Sequence, residues 1–465
     1  MLFTLFCVDT SQSTFIEQKK KAIVCISTRA SLSGHAPHGY WGGSGFILDK
    51  KQGLVVTNHH VSGGHSITSI EVIFSNGRKV NAKHVWSHPF ADISILKMNP
   101  EELKGLDFEE IATSQKEPHL NDQVEIYSNN SGYNFSVHRG QITSLNESLG
   151  VFPVQTLRLS VNASFGTSGA AVLNQHGEVI AIVFAKDSSG TSLFAVPIDY
   201  LKSMANKGIG AANFELSHIS IDYAIKNYGY PANAANDYIQ KYPESYNKML
   251  IVSSVYENAK SFVQPGDIIL AVDDEEVGPS LALYHDALNK ALKKNSRSVK
   301  LTVFRNGKKT DVMVQVRPAF QHTRYLKFGG AVFMESDEIL LTTLGIPLGT
   351  PLMVKVEPGS LFHVFPSILG TSQYAIGLQL LNKQAIRTFD DLEKEIRRII
   401  RDKQRYITAV YKNFGGYGGY NGMPIISKSD NIAHLEIQQA GDAIMYKYTM
   451  YCTPLGDEWK VETVQ

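Results

Sequence analysis

Three short segments hold side chains that could cooperate in one reaction. Thr57-Asn58-His59-His60-Val61 offers imidazole, and Ala91-Asp92-Ile93-Ser94-Ile95-Leu96-Lys97 sets a carboxylate at the head of an apolar run. Phe165-Gly166-Thr167-Ser168-Gly169-Ala170-Ala171-Val172 places a serine between glycines. A serine hydroxyl is a weak nucleophile at neutral pH and needs a neighbouring base to take its proton as it attacks. Imidazole suits that task because its ordinary pKa lies near the working pH. A buried carboxylate then fixes the tautomer and stabilises the imidazolium. The developing oxyanion needs preorganised backbone N–H donors, and losing one costs about 10²–10³ in rate. Gly166 and Gly169 let the chain turn sharply, so Gly166, Thr167 and Ser168 form the candidate oxyanion hole, with the amides of Gly166 and Ser168 aimed at one point. A lone Gly-x-Ser-Gly is usually a turn and a lone histidine usually structural. Their occurrence in the order His, Asp, Ser is what points to acyl transfer.

Such groups, far apart in sequence, need a rigid scaffold. Through the first two hundred residues the chain reads as short β-branched or aromatic runs: Ala22–Ser27, Ser44–Leu48, Gly53–Thr57, Ile70–Ser75, Ile93–Met98, Gln123–Ser128, Ser136–Leu145, Gln155–Ser160 and Val179–Phe184. Turn signals such as Ser75-Asn76-Gly77 separate them, and helical periodicity is nearly absent. That pattern predicts a β-barrel or sandwich. A helix start at Pro197 and the small-residue stretch Lys207–Ala212 then suggest a linker.

A second unit begins near Phe214, with Leu250–Val255, the run Val263–Val272, a helix over Ala282–Lys293 and strands at Val299–Phe304 and Asp311–Val316. A third repeats the order: Leu352–Val356, Gly377–Leu381, an amphipathic helix over Phe389–Ile400, then Tyr406–Tyr411. An internal repeat of roughly one hundred residues is expected. The Gly/Tyr-rich Phe414–Met423 reads as a loop, and His434–Gln438, Ala443–Cys452 and Trp459–Val464 as a small β extension.

The three chemical segments resemble the motifs of HtrA/Deg-type serine proteases. In that family a glycine-rich strand, here Gly42-Gly43-Ser44-Gly45-Phe46-Ile47-Leu48, precedes a T-N-x-H-V motif. The register makes His60 the base and puts His59 in the variable position. Asp92–Lys97 is similar to the family's D-I-A-V-L-K segment and Gly166–Val172 to its G-N-S-G-G-P-L segment, 32 residues from His60 to Asp92 and 76 from Asp92 to Ser168. Leu193–Pro197 is similar to its G-F-A-I-P stretch. The resemblance covers residues 20–415. Ser131-Gly132-Tyr133 with Ser136–Ile142, and Phe328–Phe333, look nearest the large plant and fungal members with duplicated halves, of which this chain corresponds to one half.

The resemblance implies a mostly β chain. A chymotrypsin-like double β-barrel (21–208) follows an N-terminal segment (1–20). Two α+β PDZ-like domains come next, 213–320 and a degenerate 321–415, then the extension at 425–465. It implies a His60–Asp92–Ser168 triad in an ATP-independent serine endopeptidase acting on unfolded or damaged proteins. The alternative is a catalytically silent, HtrA-like chaperone or peptide-binding scaffold. Its supports are Ala170-Ala171, where the family has Gly-Pro or Ser-Pro, and the degenerate third unit. By family position the primary pocket is Val183, Phe184, Ala185, Leu193 and Phe194. None is charged, so a small or medium aliphatic residue is expected before the cut. Pro265-Gly266-Asp267-Ile268-Ile269-Leu270-Ala271-Val272 is close to a PDZ signature. Phe214, Glu215, Leu216 and Ser217 are the expected peptide-binding edge, where an extended segment adds as a strand. A homo-oligomer, a trimer in the family, is implied too.

Composition narrows the rest. The chain has 465 residues, 43% hydrophobic and 19% charged, which supplies several cores and excludes wholesale disorder. A formal net charge of +1 gives no field for nucleic acid or an anionic membrane. No apolar window reaches the roughly 18–20 residues of a membrane span. Cys7, Cys25 and Cys452 are too few and scattered for a disulfide framework or zinc site. No metal or nucleotide motif is present, so no cofactor is expected. His35, His38, His84 and His88 lack metal spacing and are assigned to solvated loops. Met1–Val8 is apolar but short, with Lys19-Lys20-Lys21 after it rather than before. It reads as a first strand or oligomer contact. A truncated secretion signal would place the chain in the periplasm or outside the cell, and otherwise it is cytoplasmic.

Overall fold

The computed structural model describes residues 16–32, 39–130, 134–147, 154–161, 166–187, 189–205, 209–243, 247–256, 263–357, 359–362, 374–416, 432–438, 444–453 and 455–464. Twelve strands make two closed six-stranded barrels. The first holds β1 (Ile23–Leu32), β2 (Gly39–Asp49), β3 (Leu54–Thr57), β4 (Ile67–Ile73), β5 (Lys79–Ser87) and β6 (Ser94–Met98), ordered β1-β2-β3-β6-β5-β4. The second holds β7 (Gln123–Asn130), β8 (Asn134–Glu147), β9 (Thr156–Leu159), β10 (Ala171–Leu173), β11 (Val179–Lys186) and β12 (Leu193–Pro197), ordered β10-β11-β12-β9-β8-β7.

The strands read as near-continuous apolar runs because both faces are buried. Alternation sends Val24, Ile26, Val55 and Leu96 into the first barrel, and Ala181, Val183 and Leu193 into the second. The intervening residues, Ile23, Val56, Ile95, Ile182, Phe184 and Phe194, share one cluster between the barrels. Each such fully buried side chain contributes about 1.5–3 kcal/mol. That shared layer sets the seam on which the site lies.

Beyond the barrels, β13 (Gly210–Ala211) precedes β14 (Phe214–Ser220), α2 (Ile221–Tyr228) and α3 (Ala232–Lys241). Next come β15 (Lys248–Val255), β16 (Ile268–Val272), β17 (Glu275–Glu276), α4 (Leu281–Lys293), β18 (Ser298–Arg305), β19 (Lys308–Gln315) and β20 (Arg317–Pro318). Their main sheet runs β14-β15-β16-β18-β19, with α4 packed on its core. In the third unit β21 (Arg324–Phe328), β22 (Ala331–Glu335), α5 (Glu338–Leu344), β23 (Pro351–Val356), β24 (Tyr374–Leu381), β25 (Gln384–Ala385), α6 (Phe389–Arg401) and β26 (Tyr406–Gly416) follow in order. A capping box starts α6: Thr388 Oγ1 accepts from the Asp391 amide while Asp391 accepts from the Thr388 amide. These two β-rich units are consistent with PDZ domains.

The last strands, β27 (Ile432–Gln438), β28 (Met445–Thr453) and β29 (Gly456–Val464), are not a separate layer. β27 pairs with β26 and β28 with β21, so they extend both edges of the third sheet to nine strands. Open edges with unmet N–H and C=O groups explain this capture. The Met1–Val8 run and Phe414–Met423 beyond Gly416 lie outside the described residues. Among the described residues no helix is long and apolar enough to cross a membrane.

Candidate active site

β3 ends at Thr57, and the chain turns at once into the single-turn helix α1 (His59–Ser62), closed by Gly63 at φ +79°. Trp41 Nε1 donates to the carbonyls of His60 and Val61 at 3.0 and 2.9 Å, and Thr28 Oγ1 donates to Val61 O at 2.8 Å. This helix presents His60. Its Nδ1 lies 2.5 Å from Asp92 Oδ2, and its backbone amide donates to Asp92 Oδ1 at 2.9 Å. Both carboxylate oxygens of Asp92 are thereby committed to one residue.

Asp92 is 2% exposed at its side chain, whereas His60 is 44% exposed and reachable by substrate. Burial lowers the His60 pKa, but the charge and hydrogen bond of Asp92 outweigh it and hold the imidazole above its ordinary value. The Asp92 loop is itself braced. Asn58 Nδ2 donates to Asp92 O at 2.7 Å, and His88 Nδ1 accepts from the amides of Phe90 and Ala91 at 3.1 and 3.0 Å. Burial, and then the neighbouring His285, depress the His88 pKa well below the usual range, matching a neutral ring whose Nδ1 only accepts.

The Ser168 loop comes from the second barrel, just ahead of β10. Gly166 and Gly169 take φ +94° and +84°, the left-handed region a serine-presenting turn requires. Ser44 N donates to Ser168 O at 2.7 Å and Ser44 Oγ to Gly166 O at 2.8 Å, while Thr57 Oγ1 donates to Ser44 O at 2.8 Å. The approach is close: a Cβ on Gly169 would meet Ser44 O at 2.0 Å, and one on Gly43 would meet Ser168 O at 2.8 Å. The loop is thus stapled to β2 through Ser44, which Thr57 of β3, the strand leading to His60, braces in turn. Gly169 N donates to Val183 O at 2.8 Å and Ala170 N to Thr167 O at 2.9 Å, so the amides after the serine are consumed. Those of Gly166 and Ser168 make no hydrogen bond among the described residues, nor does Ser168 Oγ to His60. Such bonds are often long before substrate arrives.

The other sequence-derived sites fare differently. Val183 and Leu193 sit in the interior of the second barrel, while Phe184 and Phe194, with Ala185 against them, face the inter-barrel layer. The five therefore do not line a single wall: alternation separates Val183 from Phe184 and Leu193 from Phe194, and a register shift between Val183 and Ala185 leaves Ala185 on the side of Phe184. Ala170 and Ala171 are fully buried, one in each of those two clusters, so their methyls pack cores. Phe214, Glu215, Leu216 and Ser217 do lie on an edge strand, β14, paired only with β15. Phe214 packs inward against Tyr284, and Glu215 bonds Tyr256 Oη.

His59, in the variable position of the motif, is 4% exposed, its ring against Gly64. Two histidines need correction. His84 and His88 are not on solvated loops but buried, at 5% and 1% exposure, His84 on β5 and His88 bracing Asp92. His35 and His38 lie outside the described residues. Sequence reasoning missed Trp41, Ser44 and His88 as supports, since each acts on backbone atoms and leaves no motif.

Residues 43–182 match a family model described as trypsin-like peptidase domain. A pro-apoptotic serine protease Nma111 from Yarrowia lipolytica is 23% identical over 323 residues, covering 66% of this chain and 32% of that protein. The chain thus spans about a third of the length of these curated relatives. An uncharacterised Rickettsia prowazekii protein is 28% identical over 200 residues, 41% of this chain and 98% of its own length. Among solved structures, the HtrA-type protease AlgW with a decapeptide shares 20% identity at TM-score 0.46, covering 66% of this chain and 99% of that one.

Proposed function

We propose that this chain, which carries a trypsin-like peptidase domain and is homologous to HtrA-type serine proteases of the fungal Nma111 branch, is an ATP-independent serine endopeptidase acting on unfolded or damaged polypeptides. In this reading Ser168 Oγ attacks the scissile carbonyl as His60 Nε2 takes its proton. Asp92 holds His60 Nδ1–H and stabilises the imidazolium. The amides of Gly166 and Ser168 receive the oxyanion, and His60 then protonates the leaving amine. The edge strand β14 accepts extended segments by strand addition, which suits unfolded chains because it reads backbone and a few apolar side chains.

The observation that carries the reading is the doubly bonded His60–Asp92 pair together with a glycine-bearing serine loop stapled to Ser44 of the first barrel. The test is fluorophosphonate labelling together with casein digestion, on the wild type and Ser168→Ala. Labelling and digestion by the wild type alone support it. Digestion by both proteins removes Ser168 as nucleophile, and neither labelling nor digestion favours a silent peptide-binding scaffold.

A further inference from the structure

Three donor groups from distant parts of the chain converge where the hairpin β28–β29 meets the first barrel. His65 lies in the loop between α1 and β4, His84 on β5 and Asp457 on β29, with one ligand atom from each within 4.8 Å of the others. Their side chains are 8%, 4% and 7% exposed. His84 Nδ1 is 2.6 Å from Asp457 Oδ2. His65 Nδ1 is 3.5 Å from the same oxygen and 3.3 Å from Met450 Sδ on β28. The two imidazoles meet edge to face, centroids 4.7 Å apart.

Two features distinguish this cluster from a plain buried ion pair. First, among the described residues the ring of His65 makes no hydrogen bond of ordinary strength, although its backbone carbonyl is bonded by His322 Nε2 at 2.9 Å. His65 Nε2 is buried without a partner, and its Nδ1 faces a thioether, a weak acceptor, and a carboxylate oxygen at the outer limit of bonding. A buried imidazole left so poorly bonded is costly unless something else engages it. Second, His84 is oriented from behind: its Nε2 lies 2.7 Å from Ser87 Oγ, which lies 2.5 Å from Ser94 Oγ. An outer partner that fixes ring and tautomer is the usual support of a ligating histidine.

The spacing fits an ion as well. Ligands about 2.0–2.1 Å from a tetrahedral ion stand about 3.3 Å from each other. The His65–Asp457 separation of 3.5 Å matches that edge, the His84–Asp457 contact has to open by about 0.7 Å, and the two imidazole nitrogens, within 4.8 Å, close onto the ion.

We propose that His65, His84 and Asp457 form a site for a divalent transition-metal ion, zinc by preference, with Met450 Sδ beside the remaining position, and that the ion clamps the C-terminal hairpin onto the first barrel. Two imidazoles and one carboxylate suit zinc-like ions rather than calcium or magnesium, which take oxygen shells. Asp457 lies 373 residues from His84 in sequence, so the ion joins the two ends of the described chain. The serine chain behind His84 continues to Ser62 Oγ, 2.9 Å from Ser94 Oγ. Ser62 and Ser94 follow His60 and Asp92 by two positions each, so the site's support is anchored on the two segments that carry the candidate catalytic pair.

The test uses the full chain, stripped with a chelator and titrated with Co²⁺ followed by visible absorption, then with Zn²⁺ followed by calorimetry and thermal unfolding. The expected result is one equivalent of tightly bound Co²⁺ with tetrahedral-strength bands, displacement by Zn²⁺, and a higher Tm with Zn²⁺. His65→Gln and Asp457→Asn should weaken binding at least ~10-fold, as losing a metal-site partner does. Their metal-free Tm reports whether they fold. Should Asp457→Asn not fold, His65→Gln, a loop position, decides alone. A wild-type chain taking up no stoichiometric Co²⁺ or Zn²⁺, or a folded His65→Gln chain binding as tightly as the wild type, overturns the proposal. No arm of this test depends on proteolysis.

Discussion

The backbone amide of Ser44 donates to the carbonyl oxygen of Ser168 at 2.7 Å, so a strand of the first barrel holds the loop of the candidate nucleophile in the second. The same residue's hydroxyl donates to Gly166 O and accepts from the Asn129 amide at 3.0 Å. Ser44→Ala keeps the backbone tie but strips the buried Asn129 amide of its acceptor, which costs about 1–3 kcal/mol. Urea unfolding should show that loss. Steady-state kinetics on a peptide substrate should show a lower kcat with KM little changed, because the Gly166 turn loosens. A variant equal to wild type in both measurements would show that the staple is idle.

The His60–Asp92 pair sets a pH dependence. Catalysis needs neutral imidazole as base, and Asp92 holds the His60 pKa above 6.5, so kcat/KM should rise with pH through a point above 6.5. In Asp92→Asn the charge is gone while burial still depresses the ring. The acidic limb should move downward, and kcat should fall by about 10³–10⁴. Stability runs the other way. A histidine raised on folding contributes fully below its unfolded pKa and loses that contribution as pH rises through the folded value. Wild type should therefore lose stability relative to His60→Gln across that interval, as urea midpoints at successive pH values would show. An Asp92→Asn limb at or above the wild-type position would contradict the assignment.

Much of this was legible because the strands are apolar on both faces: all of Ala22–Ser27 but its first residue falls in β1, and Val179–Phe184 falls within β11. β5 was not, since Lys79, Asn81, Lys83 and His84 interrupt its apolar residues, and His84 is buried only because distant Asp457 meets it. The helices α2 and α3 also escaped notice. They bury only Ile221 and Ala224, and Ala235 and Tyr238, too narrow a stripe to stand out. In the candidate site the order of His60, Asp92 and Ser168 could be read directly. The supports Trp41, Ser44 and His88 could not, since the backbone atoms they bind carry no sequence signature.

In the second unit Arg305 grips Asp267 through two bonds, Nε to Oδ1 and Nη2 to Oδ2, both at 2.6 Å. Asp267 is 1% exposed, and its Oδ2 also accepts from the Gln264 amide at 2.8 Å across the turn made by Gly266. Arg305→Ala would leave a buried carboxylate without its cation, at a cost of about 3–5 kcal/mol. Arg305→Lys should recover only part, because an ammonium cannot reproduce the planar fork. Thermal unfolding should show a lowered transition for both variants, larger for alanine. Labelling of Ser168 should persist where the barrels stay folded. Wild-type stability in Arg305→Ala would refute the argument.

If the chain cleaves as proposed, its specificity rests on what the β11–β12 region offers an incoming side chain. Val183 and Leu193 are taken up by the barrel core, and Phe184 and Phe194, which share the inter-barrel face, are buried and uncharged. The acid on that hairpin, Asp187, accepts from Ser189 Oγ, Thr191 Oγ1 and the Ser192 amide and already faces Arg158 Nη2 at 4.0 Å, so its charge is answered within the chain. A lysine or arginine before the scissile bond would shed water without compensation, at a cost of several kcal/mol, whereas an aliphatic side chain gains by burial. A peptide-library digest read by mass spectrometry should therefore return Val, Ala, Ile and Leu at that position. The preference should survive changes in salt, since it rests on burial rather than charge. A profile dominated by Lys or Arg would mean that a carboxylate does reach the pocket, and this account of specificity would fail.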